Sequence, residues 1–213
     1  MERRITKFLK SILLIPSMRR SDKVYLILNT NQLIDCTFNE LLSINCFEQL
    51  KSTIKNYCYI LIIPHDVIEE FLTLLVRGLY SRLDKYCYRN GKIDALRYYE
   101  LTKLVKTASQ NIKDKFSQTM NQLKENGKLL NRVRIERIRM IDRVECKIDE
   151  EVSKPDEIDL RIVSIAKYYS RISHVIVLTC DCAIHELVNM LRSQGYNIEC
   201  KSLRDYVDCI SFC

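Results

Sequence analysis

The sequence predicts an α/β fold: an open parallel sheet with helices on both faces, to which a helical insertion is added. Three features of the 213 residues carry that prediction. Four short apolar runs sit between polar residues, as strands buried on both faces do. Amphipathic helical patterns accompany these runs, and alternation of this kind goes with parallel pairing. Finally, the long stretch from Glu70 to Asp159 has no strand pattern and is helical in composition.

Taken in order, the first strand is expected at 24–28 (VYLIL), ending abruptly in Asn29-Thr30-Asn31. A helix is expected over 39–50. The second strand, 59–63, runs through Pro64 into a helix over 66–80. From 80 to 149 the composition stays helical, with breaks near Arg89-Asn90-Gly91 and Asn126-Gly127, so at least two helices form an insertion over about 79–155. A helix over 156–169 leads into the third strand, 175–178. Another over 181–193 follows it, and a weaker strand at 197–200 comes last.

One domain over 24–213 is expected, preceded by a basic helical segment over 1–23, because four Gly and three Pro leave little material for linkers. In that segment Ile5, Leu9, Ile12 and Leu13 share a face, with Arg4, Lys7 and Lys10 off it, which suits a helix docked on the domain. Lys10 interrupts the apolar run, no small-residue cleavage site follows, and the run is too short to span a bilayer. A mitochondrial presequence or a membrane-surface helix is a weaker alternative. The ten Cys are scattered without a CxxC pair, which reads as buried reduced thiols in an intracellular protein. Cys180 and Cys182 flank Asp181, but the three His residues complete no zinc pattern.

The net charge of +7 is unevenly spread: Lys and Arg crowd 1–23 and 128–147, and acids crowd 149–159. A basic surface beside acids suits a polyanion held near a metal, although an ordinary basic domain would look similar. In open parallel sheets ligands bind at the carboxyl ends of strands, and the polar residues there are distinctive. Besides Asn29, Thr30 and Asn31, the second strand leads to Glu70. The motif PDEIDL puts Asp156 and Asp159 on one face of a first helical turn, and the third strand leads to Thr179 and Asp181. Helix capping explains Asp156 well. It does not explain why Glu70, Asp159 and Asp181, from three distant segments, should meet at one edge. Convergent carboxylates repel unless a cation lies between them, and oxygen ligands of this kind suit Mg²⁺ or Mn²⁺.

A strand ending in Asn29-Thr30-Asn31, a strand followed by Ile63-Pro64 and Val67-Ile68-x-Glu70, a helix start with Asp156 and Asp159 and with Ala166 seven residues on, and Leu178-Thr179-x-Asp181 together resemble the PIN domain family of metal-dependent nucleases. The likeness covers 24–75 and 156–205. It implies that Glu70, Asp159 and Asp181, with Asp156 beside them, hold one or two Mg²⁺ or Mn²⁺ ions, and that Thr30, Asn31 and Thr179 shape the hydrogen bonds around them. It implies hydrolysis of phosphodiester bonds, usually in RNA. Asn29 stands where the family has its first Asp, and its amide is a neutral, weaker ligand. Three explanations stay open: a weakened or inactive nuclease that keeps RNA binding, an active one in which Asp156 or Asp35 compensates, or an Asp deliberately replaced.

On a helix over 128–152, Arg132, Arg139 and Arg143 line the face opposite an apolar stripe, where local ion pairs would account for them. Arg134 and Arg137 fall within or beside the stripe, where they must snorkel or meet an acid, or reach a bound phosphate. All five are candidate contacts for single-stranded RNA. A catalytically inactive RNA-binding or protein-interaction module is the alternative, whereas a nucleotide-binding domain is disfavoured because no Gly-rich loop follows Leu28.

Overall fold

Strand β1 (Tyr25–Leu28) pairs on one side with β2 (Ile60–Ile62) and on the other with β3 (Val175–Leu178). Outside β3 lies β4 (Ile198–Lys201), so the computed structural model contains a four-stranded parallel sheet in the order β2-β1-β3-β4. It describes residues 24–57, 59–89, 95–125 and 154–207. The expected N-terminal helix over 1–23 and the helix over 128–152 with Arg132, Arg134, Arg137, Arg139 and Arg143 lie outside the described residues.

The central strands are apolar because helices cover both of their faces. Leu26, Ile27, Leu28 and all of β3 are buried, in register from Tyr25↔Val175 to Leu28↔Leu178. At the edge, β4 keeps only Ile198 buried and presents Glu199 and Lys201, charges that discourage pairing with another chain.

Six α-helices are present among the described residues: α1 (Thr30–Leu41), α2 (Cys46–Asn56), α3 (His65–Arg89), α4 (Ala95–Glu125), α5 (Glu157–Ser170) and α6 (Cys182–Ser193). They belong to one core: α1 packs on α3, α3 on α4, and α5 on α6 and β3. The breaks read near Asn90-Gly91 and Asn126-Gly127 lie outside the described residues.

The helix expected over 39–50 is instead two. Helix α1 starts directly after β1, and Ser43 takes a left-handed backbone (φ 66°) that turns the chain into α2. The buried Glu40 carboxylate accepts from the Phe47 N–H (2.9 Å), supplying an acceptor to the N-terminus of α2 that local periodicity does not reveal.

The reduced-thiol expectation is also corrected. Cys36 on α1 and Cys46 at the start of α2 form a disulfide across this turn, with Cα atoms 5.4 Å apart, and Cys180 is disulfide-bonded too. Cys87, Cys182 and Cys200 are free thiols.

Candidate functional site

The chain passes from β1 to β2 on one side, whereas β3 joins β1 from the other, so the carboxyl ends of β1 and β3 form the switch point where open α/β sheets bind ligands. Asn29 and Thr179 meet there. The backbone N–H of Asn29 donates to the Leu178 carbonyl (3.2 Å), continuing the β1–β3 ladder by one step. Asn29 is the N-cap residue of α1, yet its side chain makes no capping bond. Its Nδ2 donates instead to Thr179 Oγ1 (3.0 Å), which also accepts from the Asp181 N–H (3.0 Å). The Asn29 side chain is thus buried and tied to the β3 tip by a neutral hydrogen bond.

Thr30 begins α1 and donates through Oγ1 to Glu70 Oε2, so the first strand tip holds the carboxylate presented by α3. Asp181 is the N-cap of α6, its Oδ1 accepting from the Ala183 N–H (2.9 Å). Asp156 and Asp159 form a reciprocal cap on α5: Asp156 Oδ1 accepts from the N–H groups of Ile158 and Asp159, and Asp159 Oδ2 accepts from the Asp156 N–H (3.1 Å). Capping accounts for one oxygen of each of these three acids. Glu70, in the second turn of α3, caps nothing.

Electrostatics links what these bonds leave separate. Burial pushes the Asp159 carboxyl up to about 7; the hydrogen bond from the Asp156 N–H opposes this, and the charges of Asp156, Asp181 and Glu70 reinforce it. The charges of Glu70 on α3, Asp156 at the cap of α5 and Asp181 at the cap of α6 therefore all bear on Asp159. Their all-oxygen donor set fits a hard cation such as Mg²⁺ or Mn²⁺. As the side chains stand, however, no three His, Cys, Asp or Glu among the described residues are gathered closely enough to enclose one ion. The two observations differ in range: charge repulsion reaches well beyond a coordination bond of roughly 2.0–2.6 Å.

Two residues singled out from the sequence are engaged elsewhere. Asn31 Oδ1 accepts from Arg82 Nη2 (3.2 Å), which turns it toward α3 rather than toward the carboxylates. Asp35, the acid that could stand in for Asn29, is buried and paired with the same guanidinium (Nε to Oδ1, 2.7 Å).

Two residues on the rim escaped the sequence reading. Arg161 joins Asp66 of α3 (2.7 Å) to Glu157 of α5 (2.5 Å), fixing the helices that carry Glu70 and Asp159. Its i, i+4 spacing from Glu157 is legible, but the pairing with Asp66 depends on the fold. Gln32 accepts from the Leu203 N–H (3.2 Å) and donates to Cys180 Sγ (3.4 Å), bridging α1 to the chain after β3 and β4; no sequence signal marks it. Among the described residues no helix is long and apolar enough to cross a membrane. No protein-family model, curated protein or solved structure matches the chain, so its likeness to the nuclease family rests on these residues alone.

Proposed function

We propose that this chain is a PIN-type, divalent-metal-dependent ribonuclease that hydrolyses RNA phosphodiester bonds at the carboxyl edge of its sheet, weakened by Asn29. The observation that carries the reading is the half-buried Asp159 carboxyl, which burial, and to a lesser degree the nearby charges of Asp156, Asp181 and Glu70, raises to about 7, so that its ionised form lacks a countercharge.

Glu70, Asp159 and Asp181 are the ligands of that site, with Asp156 on its rim. Bound there, Mg²⁺ or Mn²⁺ would supply charge stabilisation at the phosphoryl oxygens and a lowered pKa for the attacking water. The residues supply orientation. Thr30 fixes the Glu70 rotamer through its hydroxyl, and Thr179 sets the spacing between Asn29 and the start of α6. The Asp159 carboxyl retains a proton up to about pH 7 and must release it before it can act as an anionic ligand, so metal affinity should rise through that range.

The Asn29–Thr179 bond and the lack of an enclosing acid group among the described residues favour a second reading, an RNA-binding or protein-interaction module without turnover. Replacing Asn29 by Asp separates the two. Thr179 can rotate its hydroxyl to donate to the new carboxylate while still accepting from the Asp181 N–H, so the exchange needs no repacking. Cleavage of a labelled single-stranded RNA in Mg²⁺ or Mn²⁺ should rise at least about tenfold in Asn29→Asp, roughly 1.4 kcal/mol in the barrier, and vanish in Asp181→Asn. No gain in the first together with no loss in the second would leave the module reading.

A further inference from the structure

The hairpin of α3 and α4 carries a surface that the strand-tip site does not use. Tyr98 Oη, near the start of α4, donates to Asp84 Oδ1 near the end of α3 (3.1 Å), and the two helices pack along each other, so they run antiparallel. On α4, Leu101, Val105, Ala108 and Ile112 are buried. The opposite face, at 3.6-residue spacing, presents Tyr99, Lys103, Lys106 and Lys113. Tyr99 is 65% exposed, and Tyr88, on the last turn of α3, is 90% exposed. The three lysines make no ion pair among the described residues. The nearby Glu100 is held by Arg97 (3.2 Å), and Asp114 accepts from Gln110 (3.0 Å).

Counting equal numbers of residues from the Tyr98–Asp84 bond along both helices brings Lys113 alongside Glu69, next to Glu70 of the candidate site. Lys103 and Lys113 are about 15 Å apart along the axis. Tyr99 therefore stands at the start of a face that carries three cations along the axis to the level of Glu69, with the exposed Tyr88 on the adjoining end of α3.

We infer that this face of the α3–α4 hairpin is a docking track for single-stranded RNA, with Tyr88 and Tyr99 stacking on bases and Lys103, Lys106 and Lys113 holding phosphates on the way to the strand-tip site. The choice of RNA rests on the nuclease reading above. The choice of a polyanion rests on the lysines. A protein partner would need a larger apolar surface at its centre, whereas the middle of this face is cationic. Aromatic side chains followed by unpaired cations are what sequence-tolerant single-strand binding requires.

Binding of a fluorescein-labelled oligouridine of about 12 nucleotides, followed by anisotropy in EDTA over a range of salt, tests this without any cleavage. Lys103→Glu/Lys106→Glu/Lys113→Glu should weaken binding by about tenfold or more and lower the slope of log affinity against log salt by about 2. Tyr88→Ala and Tyr99→Ala should each cost roughly tenfold, and a triple Lys→Gln variant should reproduce the charge effect if the Glu variant melts early. Wild-type affinity and salt slope in the Gln triple variant would overturn the proposal. So would failure of the wild-type chain to bind the oligomer, which would leave the tyrosine tip to a protein partner. Asp181→Asn keeps the two questions apart: if it cleaves like wild type while the lysine variants lose binding, the catalytic reading fails and the track stands.

Discussion

Ionising Asp159 works against the fold, contrary to the usual behaviour of a native carboxylate. Its carboxyl titrates at about 7 when folded, against about 3.9 in an unfolded chain. Between those values the folded state binds more protons than the unfolded state, so unfolding free energy falls as pH rises. The stability associated with the protonated group is fully present below about pH 4 and is lost as pH passes about 7. Asp159→Asn keeps an oxygen that can accept from the Asp156 N–H but carries no charge. In metal-free buffer it should gain stability relative to wild type on going from pH 5 to pH 8, by urea denaturation; an unchanged difference between the two proteins would remove Asp159 as the strained member of the group. At this scale the sequence was legible where a residue acts on its own segment, as for the cap that Asp156 makes on α5. It was not legible for Asn31 and Asp35, whose direction is set by Arg82 from another helix.

Helix α1 is the element on which the site depends, since it begins at Thr30 and is buried on nearly every side. Two devices hold it. The Cys36–Cys46 disulfide ties it to α2, and by loop-closure entropy a cross-link of this length contributes about 3 kcal/mol. Cys36→Ala/Cys46→Ala should lose about that much in denaturant, with the wild-type chain showing a mass consistent with the bridge before reduction. On the other side, Gly78 of α3 lets the helices approach: a Cβ there would lie 2.7 Å from Ile34 Cδ1 and 3.0 Å from Ile34 Cγ2. Gly78→Ala gains helix propensity of about 1 kcal/mol but overpacks a buried contact at about 1–3 kcal/mol. A net loss of roughly 1 kcal/mol is expected, read from the denaturation midpoint. The strands, the long α3 and the pair α5–β3 were legible because apolar spacing dictates them. The split between α1 and α2 was hidden because a left-handed serine, a cap from Glu40 and a disulfide, all tertiary in origin, override a continuous amphipathic pattern.

For the molecule as a whole, the order β2-β1-β3-β4 places two buried strands at the centre and, at the rims, the three-residue β2 and the partly exposed β4. Amide hydrogen exchange should therefore be slowest in β1 and β3, faster in β4 and in the three-residue β2, and fastest in the exposed first turns of α4. Equal protection in β4 and β3 would argue against this arrangement. The same arrangement bears on how the chain acquires its structure during synthesis. Asn29 and Thr179 are 150 residues apart, so β1 leaves the ribosome long before the strand that flanks it. At roughly 5–20 residues per second, that gap is on the order of ten seconds. Throughout it, Leu26, Ile27 and Leu28 have an unfilled sheet neighbour, and the nascent chain must rely on the β1–β2 pair and the early helices, or on a chaperone, to shelter an aggregation-prone edge.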